Sequence, residues 1–329
     1  MFRFRYLVLV AVSSFSLSLS PVYAGYEKNY IGEMETYTAV YEDTLVHLAR
    51  KHGLGFVEIR AANPDLDPWI PGKGAKVLLP KRHLLPDAPR EGMVINLPEM
   101  RVYAFLNGND EPYSYPLGIG REGLDTPLGK TTVTRKKSEP TWRPTARMRE
   151  EDPELPAVVL PGPDNPLGTH ALYLGWPTYA IHGTNKPYGI GRRVSSGCIR
   201  LYPEHIGTFF KQVPVGTVVN VVDQPIKVKW IGEELYLEAH PDIDQAIKME
   251  ETGKVAHQSL NDADIEMIIE RAGAYQDRLN WPRIRKALRE RSGYPIRIAK
   301  YYDGIKDVDQ AGGNRVNDFT VVPLRKPKS

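Results

Sequence analysis

Ile181-His182-Gly183-Thr184 and, a short way on, Ser195-Ser196-Gly197-Cys198-Ile199-Arg200-Leu201 hold the one cysteine of this 329-residue chain and the histidine nearest before it. A thiol attacks carbonyls as its thiolate, and an ordinary free cysteine is mostly protonated at neutral pH. A neighbouring imidazole can take that proton, so a thiolate at Cys198 is the expected nucleophile. Pro187, Gly189 and Gly191 lie between the two motifs, so the segment can double back and bring sulfur and imidazole together. Arg192, Arg193 and Arg200 add positive charge that favours the thiolate and suits a carboxylate on the substrate. Gly197 has no Cβ, so a substrate backbone can approach closely. The N–H groups of Gly197 and Cys198 then become candidates for meeting a developing oxyanion.

On spacing alone the base is not unique, because His170 and His205 compete with His182. Metal chemistry lacks its signature: there is no His-Glu-x-x-His and no second cysteine, so neither metal nor cofactor is expected. Gly-x-Ser-x-Gly is absent as well, which sets a serine hydrolase aside. A buried structural thiol and a redox sensor are the rival readings of Cys198. The arginines around it oppose the first, and the lack of a resolving cysteine opposes the second.

The N-terminus predicts export. Arg3 and Arg5 precede an apolar stretch over residues 6–12, uncharged serine-rich sequence follows, and Val22-Tyr23-Ala24 offers a small-x-small cleavage site. A signal peptide over residues 1–24 is expected, with Gly25 as the mature terminus. One cysteine permits no intrachain disulfide, so apolar burial must hold the fold. Of the formal charge of +3, two units are Arg3 and Arg5, and the near-neutral remainder gives no case for nucleic-acid binding. The 28 prolines and 28 glycines suit turn-rich β-structure.

Outward from the motif the pattern divides in three. Residues 37–40 read as a strand. Asp43 or Thr44 can cap a helix that ends at Gly53, a second helix spans residues 56–62, Asn63-Pro64-Asp65 breaks it, and residues 77–79 close a βααβ unit. Short strands follow at 93–97, 101–106, 113–117, 130–134, 171–174, 179–182 and 217–222, with Asn107-Gly108 as a turn. That spacing predicts a mainly β unit, a β-sandwich or barrel-like. Residues 141–165 read as a long loop near the site. A helix starting at Pro203 should bury Ile206, Phe209, Phe210 and Val213. Beyond residue 224 helices are expected at 262–272 and 281–291, giving an α-rich extension, and the tail from Gln310 reads as loose.

The Tyr37-Thr38-Ala39-Val40 opening, Asp43-Thr44-Leu45, Asn63-Pro64-Asp65 and Val77-Leu78-Leu79-Pro80 resemble a LysM module, here over residues 36–81. The resemblance implies binding of N-acetylglucosamine-containing glycan. The paired motifs around His182 and Cys198, with Asp125-Thr126-Pro127-Leu128-Gly129 and Pro140-Thr141-Trp142, resemble the YkuD-type L,D-transpeptidase catalytic domain, here over residues 91–223. Val228-Lys229-Trp230 and Leu235-Tyr236-Leu237-Glu238 resemble the extension of Gram-negative envelope members, here over residues 224–329.

This second resemblance implies a periplasmic enzyme acting on peptidoglycan tetrapeptide stems. Cys198 would be the nucleophile and His182 the base, later the acid. The Gly183 carbonyl would orient the ring, Ser195 would support the loop, and Gly197 would shape it. His170, Thr184 and Ser196 would line the substrate site together with Arg192, Arg193 and Arg200. Ser196 stands where many members have histidine. The family is acylated by carbapenems. The thioester implied for it passes to a diaminopimelate amine, giving a 3→3 cross-link, or to the C-terminal lysine of an outer-membrane lipoprotein. Transfer to water would make the protein an L,D-carboxypeptidase or a hydrolase of wall–lipoprotein links. A non-catalytic wall-binding protein would show no acylation of Cys198 at all.

Overall fold

The computed structural model describes residues 26–106, 111–257 and 259–301. The expected leader over residues 1–24, the Asn107-Gly108 turn and the tail from Gln310 lie outside the described residues. The N-terminal unit runs β1 (Tyr30–Ile31), β2 (Met34–Thr38), α1 (Leu45–Lys51), α2 (Phe56–Ala62), β3 (Lys76–Pro80) and β4 (His83–Leu84). Strands β2 and β3 pair antiparallel, from Met34 opposite Pro80 to Thr38 opposite Lys76. The strand begins and ends earlier than the sequence pattern suggests. Beyond Ala39 the chain turns, and the Val40 N–H donates to the Asp43 carboxylate at 2.8 Å. Thr44 is the cap of α1, accepting from the His47 N–H at 3.1 Å. Asn63 stops α2 by joining it to β3. Its amide donates to the carbonyls of Ile59 and Leu78 and accepts from the Leu78 N–H, each at 2.8 Å. Leu45, Leu48, Leu54, Ile59, Val77 and Leu79 form the small core, each 1% exposed or less.

The central unit contains β5 (Gly92–Asn96), β6 (Arg101–Phe105), β7 (Tyr113–Pro116), β8 (Ile119–Gly120), β9 (Gly129–Ser138), α3 (Ala146–Glu151), β10 (His170–Leu174), β11 (Ala180–His182), β12 (Arg193–Ser195), β13 (Ile199–Arg200), α4 (Pro203–Gln212) and β14 (Val218–Val222). Eight of these strands form one sheet in the order β13-β11-β10-β9-β14-β5-β6-β7. The sheet curls until its ends meet. Just past β7, Gly118 exchanges backbone hydrogen bonds with Arg200 of β13, at 2.9 and 2.8 Å. Closure of this kind removes exposed edges. Met93, Ile95, Val102, Leu172, Ile181, Ile199 and Val219 fill the interior, with Ile206 and Phe209 of α4. Phe210 is only partly buried, because it lies on the side of the helix that meets His170. The stretch over residues 141–165 is an organised excursion. It carries α3, capped by Thr145, and it is pinned at its base by the buried Asn165 amide, which donates to the carbonyls of Pro140, Val159 and Leu160.

The C-terminal segment holds β15 (Ile226–Ile231), β16 (Glu234–Ala239), α5 (Ile243–Thr252), α6 (Asp262–Ala272), α7 (Trp281–Glu290) and β17 (Ile296–Lys300). The helices at 262–272 and 281–290 match the sequence pattern, and Asn280 caps α7 through the Arg283 N–H. Helices are not the whole of it. The antiparallel sheet β15-β16-β17 forms the other layer, and Ile226, Val228, Leu235, Leu237 and Ile298 pack from it onto Ile284 and Leu288. The period-two alternation at 226–230 and 235–239 is the sequence signal for this hairpin.

The three units meet around a buried charged cluster. Lys227 Nζ lies 3.0 Å from Glu238, pairs with Glu99, and donates to the Leu84 carbonyl. His240 Nε2 lies 2.7 Å from Glu238, and Tyr103 Oη donates to Glu99 at 2.7 Å. Alongside, Arg101 meets Glu58 of α2 at 2.8 and 2.9 Å, and His83 Nε2 lies 3.2 Å from the same carboxylate. His83, Glu99 and Glu238 each offer a ligand atom within 4.8 Å of the others, the spacing of a metal cage. The Lys227 ammonium already supplies the cation between the two carboxylates, so the arrangement is an ion-pair network. Burial works to raise the Glu99 carboxyl, but Lys227 and His240 outweigh it and hold its pKa down to about 2.

Removing one partner of a buried pair strands the other charge. Lys227→Met is therefore expected to cost about 3–5 kcal/mol in denaturant unfolding. The depressed pKa of Glu99 makes its contribution complete above the unfolded carboxylate value of about 4.3. That contribution is lost as pH falls toward about 2. An unfolding midpoint unchanged by the substitution would refute the role of the cluster.

Candidate active site

The site is set by strand register. β11 and β13 run parallel, with Ile181 beside Ile199 and His182 beside Arg200, and the Leu201 N–H donates to the His182 carbonyl at 2.8 Å. Ile181 and Ile199 belong to the core. Alternation along a strand then puts His182, Arg200 and the preceding Cys198 on the opposite face. Cys198 thus leads into β13 two positions before Arg200, which stands directly beside His182 of β11.

His182 is buried, 3% exposed. Its Nδ1 lies 2.5 Å from the Gly183 carbonyl oxygen. A carbonyl accepts only, so Nδ1 carries the proton and Nε2 presents its lone pair. Burial and the positive charge of Arg200 push the His182 pKa down to about 3. Cys198 is partly exposed, and its thiol donates to the Thr178 carbonyl at 3.4 Å. Burial also pushes the thiol pKa up, opposed by a backbone hydrogen bond with Ala180 and by Arg200. The surroundings of Cys198 oppose the thiolate that the sequence suggests. Desolvation disfavours the charged form of each group and so opposes a resting thiolate–imidazolium pair.

The turn before the cysteine is held from several sides. Ser195 Oγ donates to the Cys198 carbonyl and accepts from the Gly197 N–H at 3.2 Å. The Gly197 N–H is therefore engaged and not turned toward a substrate oxygen. Gly197 has φ +101°, and a Cβ there would lie 2.9 Å from Tyr179 Cε1. Thr126 Oγ1 donates to the Gly197 carbonyl at 2.9 Å and accepts from the Gly120 N–H at 3.1 Å. Thr126, Thr178 and Tyr179 escaped the sequence reading. The Asp125-Thr126-Pro127 motif was the one available signal for the first. Nothing local marks Thr178, whose φ of +69° depends on its surroundings.

The remaining expected residues divide. Arg200 makes no ion pair among the described residues, and its Nε is buried without a hydrogen-bond partner. It keeps its charge available beside the pair. Arg192 and Arg193 do not serve as free carboxylate receivers. Arg192 lies 3.6 Å over the Phe56 ring and donates from Nε to the Tyr188 carbonyl, while Arg193 pairs with Asp125 at 2.7 Å. Thr184 is buried, and its hydroxyl accepts from the Lys186 N–H at 2.9 Å, closing a turn. His170 alternates to the face opposite His182, since Ala171 is the residue in register with His182. Its ring packs 4.6 Å from Phe210. His205 is packed between Tyr115 and Tyr202. Of the three candidate bases, only His182 lies on the strand beside the cysteine turn. Ser196 is half-buried in the turn. A cavity of about 480 Å³ lies behind Thr126 and Arg193, against α5, and neither Cys198 nor His182 lines it.

Residues 90–221 match the family model described as the YkuD L,D-transpeptidase catalytic domain. The probable L,D-transpeptidase YcfS of Escherichia coli strain K12 is 48% identical over 193 residues, 56% of this chain and 60% of that protein. The chain thus spans less than two thirds of that relative. The probable L,D-transpeptidase YbiS of the same strain is 39% identical over 260 residues, covering 77% of this chain and 83% of that protein. The probable L,D-transpeptidase ErfK/SrfK of Salmonella typhimurium strain LT2 is 36% identical over 311 residues, covering 92% and 98%. Among the described residues no helix is long and apolar enough to cross a membrane.

A thiol whose ionisation is opposed by burial has a measurable signature. Alkylation of Cys198 by iodoacetamide in the substrate-free protein should accelerate with pH, with a midpoint above the ordinary thiol value of about 8.5. A midpoint below neutrality would restore the resting thiolate.

Proposed function

The chain belongs to the L,D-transpeptidase family, and from that premise we propose that it is a periplasmic enzyme that cleaves peptidoglycan tetrapeptide stems through a thioester at Cys198 and passes the acyl group to an amine. The observation that supports this reading is the β11–β13 register, which sets Cys198 two positions before the neighbour of His182, whose Nε2 keeps a free lone pair. Because burial opposes a resting ion pair, proton transfer accompanies attack. As the sulfur closes on the carbonyl carbon, His182 Nε2 takes the thiol proton. The imidazolium then gives it to the departing D-alanine amine, and the C–N bond breaks. The imidazolium is stabilised by the Gly183 carbonyl, in place of the carboxylate of a serine-protease triad. With the Gly197 N–H engaged by Ser195, the Cys198 N–H is the donor assigned to the oxyanion. Arg200 is assigned to a carboxylate of the stem.

The acyl acceptor is a diaminopimelate amine, which yields a 3→3 cross-link, or the terminal lysine of a lipoprotein. Transfer to water remains the alternative reaction on the same thioester. The N-terminal unit is assigned to glycan binding as a LysM module. Support comes from the loop after β2 and the loop before β3. Tyr41, Trp69 and Ile70 are 81%, 58% and 75% exposed. A hydrogen bond from the Leu45 N–H to the Pro68 carbonyl holds the loops together. Exposed rings on a rigid support suit the apolar faces of sugars.

Purified protein incubated with disaccharide-tetrapeptide should release D-alanine and form a dimer detectable by mass spectrometry. Cys198→Ala and His182→Ala should each lose turnover while remaining folded. Full activity in His182→Ala would remove the base assignment, and tripeptide as sole product would select hydrolysis over transfer.

A further inference from the structure

We propose that the N-terminal unit is a positioning element of the reaction itself, gripping the segment between His182 and Cys198 through Gly55, Phe56, Gly191 and Arg192. The inference rests on Cys198 as the nucleophile. The grip starts at the N-terminus of α2, where Glu58 takes the Gly55 N–H and leaves the next donors free. Gly55, the N-cap of α2, offers no side-chain acceptor, and the first amide donors of a helix have no partner within it. The catalytic segment supplies acceptors. Phe56 N–H donates to the Ile190 carbonyl at 3.3 Å and Val57 N–H to the Gly191 carbonyl at 3.1 Å.

So close an approach needs glycine on both sides. A Cβ on Gly55 would lie 2.7 Å from Gly191 Cα, and one on Gly191, where φ is +72°, would lie 2.1 Å from Phe56 N. The next residue completes the grip, since the Arg192 guanidinium lies 3.6 Å over the Phe56 ring. On its other side the segment is tied to the sheet. Gly191 N–H donates to the Leu117 carbonyl, Ile119 N–H to the Arg192 carbonyl and Arg121 N–H to the Ser195 carbonyl, at 2.9, 3.1 and 2.9 Å. Residues 190–192 are thus held between α2 and the end of the sheet. They lead directly into β12, whose Ser195 fixes the Cys198 carbonyl.

Further contacts secure the unit at the start of α4. Tyr202 Oη donates to the Leu54 carbonyl at 3.0 Å, and Arg50 pairs with Glu204 at 2.8 Å. A tethered glycan-binding module would need none of this, because a linker alone raises local substrate concentration. Catalytic groups, by contrast, lose rate steeply when displaced by an ångström. The grip therefore affects the chemistry even for a substrate that carries no sugar.

The test uses full-length protein and a sugar-free tetrapeptide. Two variants loosen the grip. Gly191→Ala wedges it open, and Phe56→Leu keeps apolar volume but removes the face under Arg192. The readouts are the single-turnover rate of Cys198 acylation, the pH midpoint of its alkylation by iodoacetamide, and the denaturant unfolding curve. We expect each variant to acylate at least tenfold more slowly, to move the alkylation midpoint, and to keep a cooperative unfolding transition. If Gly191→Ala does not fold, Phe56→Leu decides. Acylation within twofold of wild type in a folded variant, with an unmoved midpoint, would overturn the proposal. A wild-type protein that is never acylated would instead overturn the nucleophile assignment, and the alkylation midpoint would still report whether the grip shapes the surroundings of Cys198.

Discussion

The parallel pairing of β11 with β13 is the constraint on which the site depends. It sets His182 beside Arg200 and leaves Cys198 two positions behind on the same face, with two isoleucines locking the register from below. A slip by one residue would turn the sulfur into the core and an isoleucine toward solvent. Two devices oppose that slip. One is the exchange of hydrogen bonds between Gly118 and Arg200, which closes the curled sheet onto the same short strand. The other is the Ser195 hydroxyl, which ties both ends of the turn before it.

Electrostatics are handled in opposite ways at two places in the molecule. Where the three units meet, buried charges are paired: Lys227 with Glu99 and Glu238, Arg101 with Glu58. At the site, burial acts on a thiol and an imidazole without a carboxylate and disfavours the charged form of each. Arg200 sits beside them without an ion pair among the described residues. Desolvation thus favours the proton on sulfur until a carbonyl carbon arrives to take the electron pair. The arginines that looked interchangeable in the sequence divide by surroundings into one available charge and two structural ones.

The motifs around His182 and Cys198 were legible because their chemistry is local: a lone thiol, a glycine before it, arginines about it. The two helices of the N-terminal unit were legible for the same reason, since Thr44 and Asn63 act within a few residues of themselves. The β15-β16-β17 sheet is masked in the sequence, although its alternation is present, because helical patterns further on dominate the composition of that segment. The excursion at 141–165 showed as a loop, while the role of Asn165 in pinning it depends on carbonyls gathered from three separate positions.

By itself the sequence determined which groups can react, the mainly β character of the centre, and the helices whose caps lie next to them. Tertiary structure alone decided which histidine lies on the strand beside the cysteine turn, that Arg192 and Arg193 serve the scaffold, and that burial opposes ionisation of the thiol. The reason is physical. Register, face and desolvation are properties of what strands and units bury against one another, and partners such as Gly55 with Gly191, or Lys227 with Glu99, are far apart along the chain.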